Sequence, residues 1–341
     1  MGGWAVYCAI CGGPFSSQVE MDPEGTDERC YRYDVLKNCD LEWLDELCAL
    51  GMNPDATGDD KALEIAVHDI FKVINHVLGG IEVARGDDPN VPFDQTADNI
   101  PMIAYYDYGG GTEGDTAQPL VFPFHEICYH DILQRCLKQE YSGQIRGDVL
   151  FNVFESLNGG RYVRLQLDYG EPEPPAEQFW YHQPGHELLV VNPVQIAQID
   201  ADIERIKRSL CQKASPNQNP GKWDIFDKLP HELRHEIFKL LPAGSILALK
   251  AASWTMHVTT LPRGFWRDTL RAEIPWLWEI HDVDVFQSQE SEDKASKLLL
   301  DIEKKSRYTA ENDDYVLGLA NRRRIWGVCE QIRTRYLDGL A

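Results

Sequence analysis

The 341-residue sequence predicts an α+β protein in which helix predominates, with a mixed N-terminal domain ahead of an almost wholly helical C-terminal part. Apolar residues recur at helical spacing over nearly all of residues 223–341. Alternating or glycine-turned stretches, which suit strands and turns, fall within residues 1–212. Between them residues 213–222, KASPNQNPGK, form a polar run with nothing to bury, which reads as a linker. The organisation expected is therefore a mixed domain at 1–212, the linker, a helical module at 223–270 and a helical region at 271–341.

In the first region, WAVYCAICGGPF suits short strands or a knuckle turned at Gly12-Gly13-Pro14. Leu41–Leu50 and Lys61–Leu78 carry apolar residues at helical spacing, the second stopped by Gly79-Gly80. Residues 85–118, rich in Gly, Asp and Pro, read as a surface excursion. Helices are expected at Phe122–Gln139 and Asp148–Leu157, and a strand at Gly160–Tyr169, where Tyr, Arg, Gln and Asp alternate with Val and Leu. Glu171–Glu177 reads as extended and exposed, and Pro193–Leu210 as an amphipathic helix.

Composition narrows the function classes. The balance of 33 Lys+Arg against 55 Asp+Glu gives a formal net charge of −22, which repels phosphate backbones and anionic lipid heads. Nucleic acid and membrane are thus not expected partners, and Arg322–Arg324 reads as a solvated helix face. No stretch approaches the roughly 18 apolar residues that span a bilayer. The opening residues lack a basic n-region and a long apolar h-region, so the chain is expected inside the cell, cytoplasmic and/or nuclear.

Residues 224–270 read as three short helices. Leu233, Ile237, Leu240 and Leu241 make one apolar stripe after Pro230. Pro242-Ala243-Gly244 ends that helix, and Ser245 is placed to cap the next, on which Ile246, Leu249 and Ala252 share a face. Trp254, Met256, Val258 and Leu261 start a third helix, and Trp266 closes the unit. A module this short needs a neighbour, either the rest of the chain or another protein.

The order Leu229-Pro230, Glu232, Leu233, Ile237, Leu240, a proline turn, Ile246, Leu249, Ala252-Ser253 and Trp266 resembles an F-box. It departs from that motif at Ala243-Gly244-Ser245, where an acidic residue is common, and at Trp254-Thr255. The resemblance implies a docking module for the Skp adaptor of SCF ubiquitin ligases, with Leu229, Pro230, Leu233, Ile237, Leu241, Pro242, Ile246 and Leu249 as contacts. It further implies a cullin reached through the adaptor and an unknown protein substrate held by the rest of the chain. An F-box scaffold acting outside a ligase is the alternative. With CAICGGPF, PFHEIC and NRRRIWGVCEQI, the chain resembles a group of filamentous-fungal F-box proteins.

Cys8-Ala-Ile-Cys11-Gly-Gly is a C-x-x-C turn, and His125 with Cys128 forms H-x-x-C, expected on the first turns of the Phe122–Gln139 helix. Two thiolates on a glycine-assisted turn plus a pair at a helix start is a treble-clef way of holding structural zinc, and the ligand set resembles a LIM-type half-site. The spacing departs from both, since 113 residues lie between Cys11 and His125. A metal-free buried cysteine pair and a redox role are the competing readings. Cys30, Cys39 and Cys48 are alternative ligands, and Cys136 reads as a core residue.

Enzyme signatures are sparse. Tyr106–Asp115 is glycine-rich without the Gly-Lys-Ser/Thr ending of a phosphate loop, and there is no G-x-S-x-G or kinase motif set. His231-Glu232-Leu233-Arg234-His235 spells H-E-x-x-H. His231 with His235 reads as solvent-facing, and His182 with His186 as a loop coincidence. The chain is expected to be a non-catalytic subunit.

Overall fold

The computed structural model describes residues 7–52, 63–65, 72–77, 80–84, 104–105, 121–158, 164–175, 179–197, 199, 201, 224–262, 264–280, 289–310 and 315–340. Helix predominates and the strands are short, in accord with the predicted α+β class. The strands are β1 Met21–Asp22, β2 Tyr31–Arg32, β3 Leu47–Met52, β4 Leu63–Ile65, β5 Lys72–Val77, β6 Gly80–Ala84, β7 Ala104–Tyr105 and β8 Val121–His125. The helices are α1 Tyr33–Leu36, α2 Gln134–Lys138, α3 Gly147–Leu157, α4 His231–Lys239 and α5 Ala243–Ala252, then α6 Trp254–Val258, α7 Phe265–Glu273, α8 Gln289–Lys305 and α9 Leu317–Leu340. A π-helical turn, Cys128–Leu133, leads directly into α2.

The chain divides into two units, Met1–Gln195 with Tyr308–Asp313 and Leu317–Ala341, and Ile196–Arg307 with Asp314–Val316. The region read as 271–341 is therefore split, its last helix belonging to the first unit. In that unit β4, β3 and β8 form an antiparallel sheet, with Leu50 opposite both Phe122 and Ile65. Strands β5, β6 and β7 form a second antiparallel sheet, and β1 pairs with β2 in parallel. Phe122 and Phe124 alternate along β8 and are both fully buried. Phe122 meets Phe151 and Phe154 of α3 edge-on at 5.5 and 5.6 Å. Helix α3 buries Val149, Leu150, Val153, Phe154 and Leu157 along one stripe, and α9 packs on it. The Arg146 N–H, at the start of α3, donates to Tyr336 Oη of α9 at 2.8 Å.

Several sequence expectations change. Leu41–Leu50 is a 3₁₀ turn at Glu42–Leu44 followed by β3, and the described parts of Lys61–Leu78 are strands β4 and β5. Phe122–Gln139 is not one helix: its first residues pair with β3, because Phe122 and Phe124 alternate and find a sheet partner. Residues 164–169 are irregular rather than a strand, and residues 160–163 lie outside the described set. Most of residues 85–118 and of Pro193–Leu210 also lie outside it; positions 197, 199 and 201 are helical. Asp148–Leu157 is a helix as expected.

Arg322–Arg324 is not a solvated face, since Arg322 and Arg324 are buried. Arg322 donates from Nε to Pro193 O at 2.6 Å and from Nη2 to Val194 O at 2.9 Å. Asn321 Nδ2 donates to Val191 O at 2.8 Å. Carbonyl groups that finish no helix or sheet ladder are thus satisfied by side chains of α9.

In the second unit α4, α5 and α6 follow one another, with Phe238, Ile246, Met256 and Trp266 as buried core. Pro242, not Ser245, stands at the N-cap of α5, and the Ala243 N–H is satisfied by Glu273 Oε1 of α7 at 2.7 Å. Ser253 caps α6, its Oγ accepting from Met256 N–H at 3.0 Å and donating to Asp224 at 2.6 Å. Asp224 also accepts from the N–H groups of Phe226 and Thr255, both at 3.0 Å, which ties the entry of the module to the α5–α6 junction. Helix α8 packs on α5 and α7.

Candidate metal centre

Residues 7–14 form a knuckle closed by a bridge between Tyr7 and Pro14. Cys8 N–H donates to Gly13 O at 2.9 Å, and Gly12 N–H to Cys8 O at 2.8 Å. Gly12 has φ 73°, the left-handed region, and an added Cβ would meet Tyr169 Cδ1 at 3.0 Å, so the turn requires glycine twice over. Within it Cys11 N–H points at Cys8 Sγ at 3.4 Å and Gly13 N–H at Cys11 Sγ at 3.3 Å. Backbone donors aimed at both sulfurs favour the thiolate form that a metal needs.

Strand β8 carries the second pair to the knuckle. Ala9 N–H donates to Pro123 O at 2.9 Å, and His125 N–H approaches Cys8 Sγ at 3.4 Å. His125 ends β8 and Cys128 opens the π-helical turn, so the pair straddles a strand–helix junction instead of lying on one helix. All four predicted residues nevertheless converge. Cys8, Cys11, His125 and Cys128 are fully buried, and their ligand atoms lie within 4.8 Å of one another. His125 Nδ1 stands 3.3 Å from Cys11 Sγ and 3.9 Å from Cys128 Sγ. Neighbouring ligand atoms of a tetrahedral zinc with bonds of ~2.3 Å are ~3.8 Å apart, so the cluster has the dimensions to hold an ion.

Chemistry fixes the imidazole. Its Nε2 lies 3.0 Å from Pro14 O, an acceptor only, so Nε2 carries hydrogen and Nδ1 faces the sulfurs. Phe15 and Trp43 pack tilted against the ring, their centroids 4.8 and 4.6 Å away, and the imidazole is fully buried. Burial raises the Cys128 thiol well above its ordinary range, and its hydrogen bonds to Cys11 and Cys8 add to the rise. Burial also disfavours the Cys8 thiolate and the His125 cation. Bonds from Cys11 and Cys128 outweigh this at Cys8, whose pKa is lowered, and the Cys11 and Cys8 charges raise His125 to about 10. Cys128 thus holds its proton against an incoming ion, and metal binding must displace it.

Comparison with protein-family models, curated proteins and solved structures finds no match.

Cys30, Cys39 and Cys136 stand outside the cluster, and Cys136 is buried core, as expected. Sequence reasoning missed the groups that hold the ligands: Pro14 O, Phe15, Trp43, Tyr169 and Arg324. Tyr169 Oη donates to Ala9 O at 3.0 Å, between the two knuckle cysteines. No local pattern marks Trp43, Tyr169 and Arg324, because each reaches the site from elsewhere in the fold.

In the second unit the eight F-box positions fall into three groups. Pro230, Leu233 and Pro242 are exposed, and Leu229, Ile237, Leu241 and Leu249 are half-buried. Ile246 is fully buried and belongs to the unit's core, so it is unavailable as a contact. Leu240 is 83% exposed and Leu233 50%, seven positions apart and so on one side of α4. Ile225, Trp254 and Val258 are exposed as well. His231 and His235 contact each other at 4.2 Å, and His235 Nε2 donates to Thr260 O at 2.6 Å. No helix among the described residues is long and apolar enough to cross a membrane.

Proposed function

We propose that residues 224–270 are an F-box and that the chain is a substrate-receptor subunit of an SCF-type ubiquitin ligase. The observation that carries this reading is the sorting of apolar side chains in the second unit. Phe238, Ile246, Met256 and Trp266 supply a core, while Ile225, Leu233, Leu240, Trp254 and Val258 are left at the surface. Surplus exposed Leu, Ile and Trp on a small helical unit is what a docking surface requires. The Skp adaptor is the partner that the motif resemblance names, and a cullin is reached through it. An unidentified protein substrate is held by the rest of the chain. The chain itself is non-catalytic and acts inside the cell, in cytoplasm, nucleus or both.

The first unit is stapled by structural zinc on Cys8, Cys11, His125 and Cys128. Four protein ligands fill a tetrahedron and leave no position for a substrate. A structural ion suits that closed shell better than a redox pair.

Co-purification with a Skp adaptor tests the main reading. The wild-type chain is expected to retain the adaptor and cullin, and Leu229→Ala with Pro230→Ala to lose both. Undiminished retention by the double variant contradicts the docking assignment, and adaptor without cullin favours a scaffold outside the ligase.

A further inference from the structure

We propose that Arg324 is the buried counter-charge of the metal centre, matching it to a divalent ion held by three thiolates and one neutral imidazole. This rests on the zinc reading of the four ligands. A divalent cation, three thiolates and a neutral imidazole sum to a single negative charge. In an interior shielded from water an unbalanced charge is costly, and a permanent cation nearby offsets it.

Arg324 meets that requirement from α9. It is 7% exposed, and its Nη1 donates to Cys11 O at 2.8 Å, the carbonyl of a ligand residue. The same nitrogen donates to Tyr169 O at 3.1 Å, and Nη2 to Asn321 Oδ1 at 2.9 Å. Its Nε is buried without a hydrogen-bond partner. Every one of these acceptors is neutral, and no carboxylate among the described residues pairs with the guanidinium. A permanent cation in that position needs an anion, and the cysteine sulfurs are the ones at hand. Burial lowers the pKa of Arg324, and the nearby Cys11, Cys128 and Cys8 sulfurs act in the opposite sense. Gly170, at φ 72°, makes room for the side chain: a Cβ there would meet Arg324 Cγ at 3.0 Å.

Zinc competition against a chromophoric chelator, on the full chain, separates charge from clasp. R324Q keeps a donor and loses the charge, R324K keeps the charge and loses the fork, and Tyr169→Phe removes one knuckle bond at constant charge. R324Q is expected to weaken zinc binding about 10- to 100-fold, with R324K and Tyr169→Phe much closer to wild type. Equal affinity in wild type and R324Q overturns the counter-charge, as does a fall in R324K matching that in R324Q. If R324Q does not fold, its combination with Cys128→His is expected to fold and bind zinc. That two-thiolate centre is neutral with a divalent ion, and failure of the combination also overturns the proposal. A wild-type chain that takes up no zinc sinks the metal reading itself, a result distinct from the others.

Discussion

His125 Nδ1 lies 3.3 Å from Cys11 Sγ, two side chains brought together across 114 positions of sequence. The contact exists because β8 ends at His125 just where the knuckle presents its thiols, with Cys8 accepting from the His125 backbone. The imidazole is held from behind by Pro14 O, so the face turned to the sulfurs is the one able to ligate.

Elemental analysis of the purified chain is therefore expected to show about one zinc per chain, the content of a single closed tetrahedral site. Cys8→Ser or Cys128→Ser should bring it close to zero. The variants should also unfold at lower temperature, since binding energy at such a site is folding energy.

Asp224 gives the second unit an acid-sensitive anchor. The Ser253 hydroxyl and the Phe226 and Thr255 N–H groups hold its carboxyl down from 3.8 to about 2. A carboxylate with a depressed folded-state pKa contributes stability that is present above the unfolded value and lost as protons are taken up on the way down. Wild-type stability should thus fall between about pH 4 and pH 2. Asp224→Asn should be less stable at neutral pH and show a smaller loss over that window in pH-dependent thermal melts.

Glu187 is wholly buried and takes Arg32 Nε at 2.9 Å, Arg32 Nη2 at 3.2 Å and the Arg32 N–H at 3.1 Å. Glu187→Ala should destabilise the first unit by about 2–3 kcal/mol, because it removes the buried carboxylate that accepts all three of these charge-assisted bonds. Denaturant titration measures the shift in midpoint.

The module's core and surface should respond very unequally. Trp266→Ala removes a fully buried ring and should cost about 3–5 kcal/mol. Leu240→Asp, at a side chain 83% exposed, should change stability by about 0.5 kcal/mol or less. Thermal melts of the two variants check the pair.

What could be read from the sequence was local or chemically distinctive. Cys8, Cys11, His125 and Cys128 stand out by residue type, and Gly12 by the turn it permits. The Asp148–Leu157 helix and the succession of helices from His231 to Val258 follow from apolar spacing. The failures share one cause, which is partners supplied from far along the chain. Phe122 and Phe124 read as helical until β3 offers a ladder, and Lys72–Val77 pairs with β6 although its apolar residues recur at helical spacing. Arg322 and Arg324 read as solvated because the carbonyls of Pro193, Val194, Cys11 and Tyr169 that accept from them belong to other segments. Ile246 resembles a docking contact in the motif, yet the packing of α5 turns it inward.

Direct titration of the full chain with purified Skp adaptor tests the docking surface most plainly. The wild type should bind with a Kd of about 1 μM or tighter, as a specific helical interface of this kind supplies. A folded Leu233→Asp, Leu240→Asp double variant should bind at least about 100-fold more weakly, as expected when two central apolar anchors are replaced by charge. Equal binding by wild type and double variant, or no binding by a folded wild type, would contradict the account.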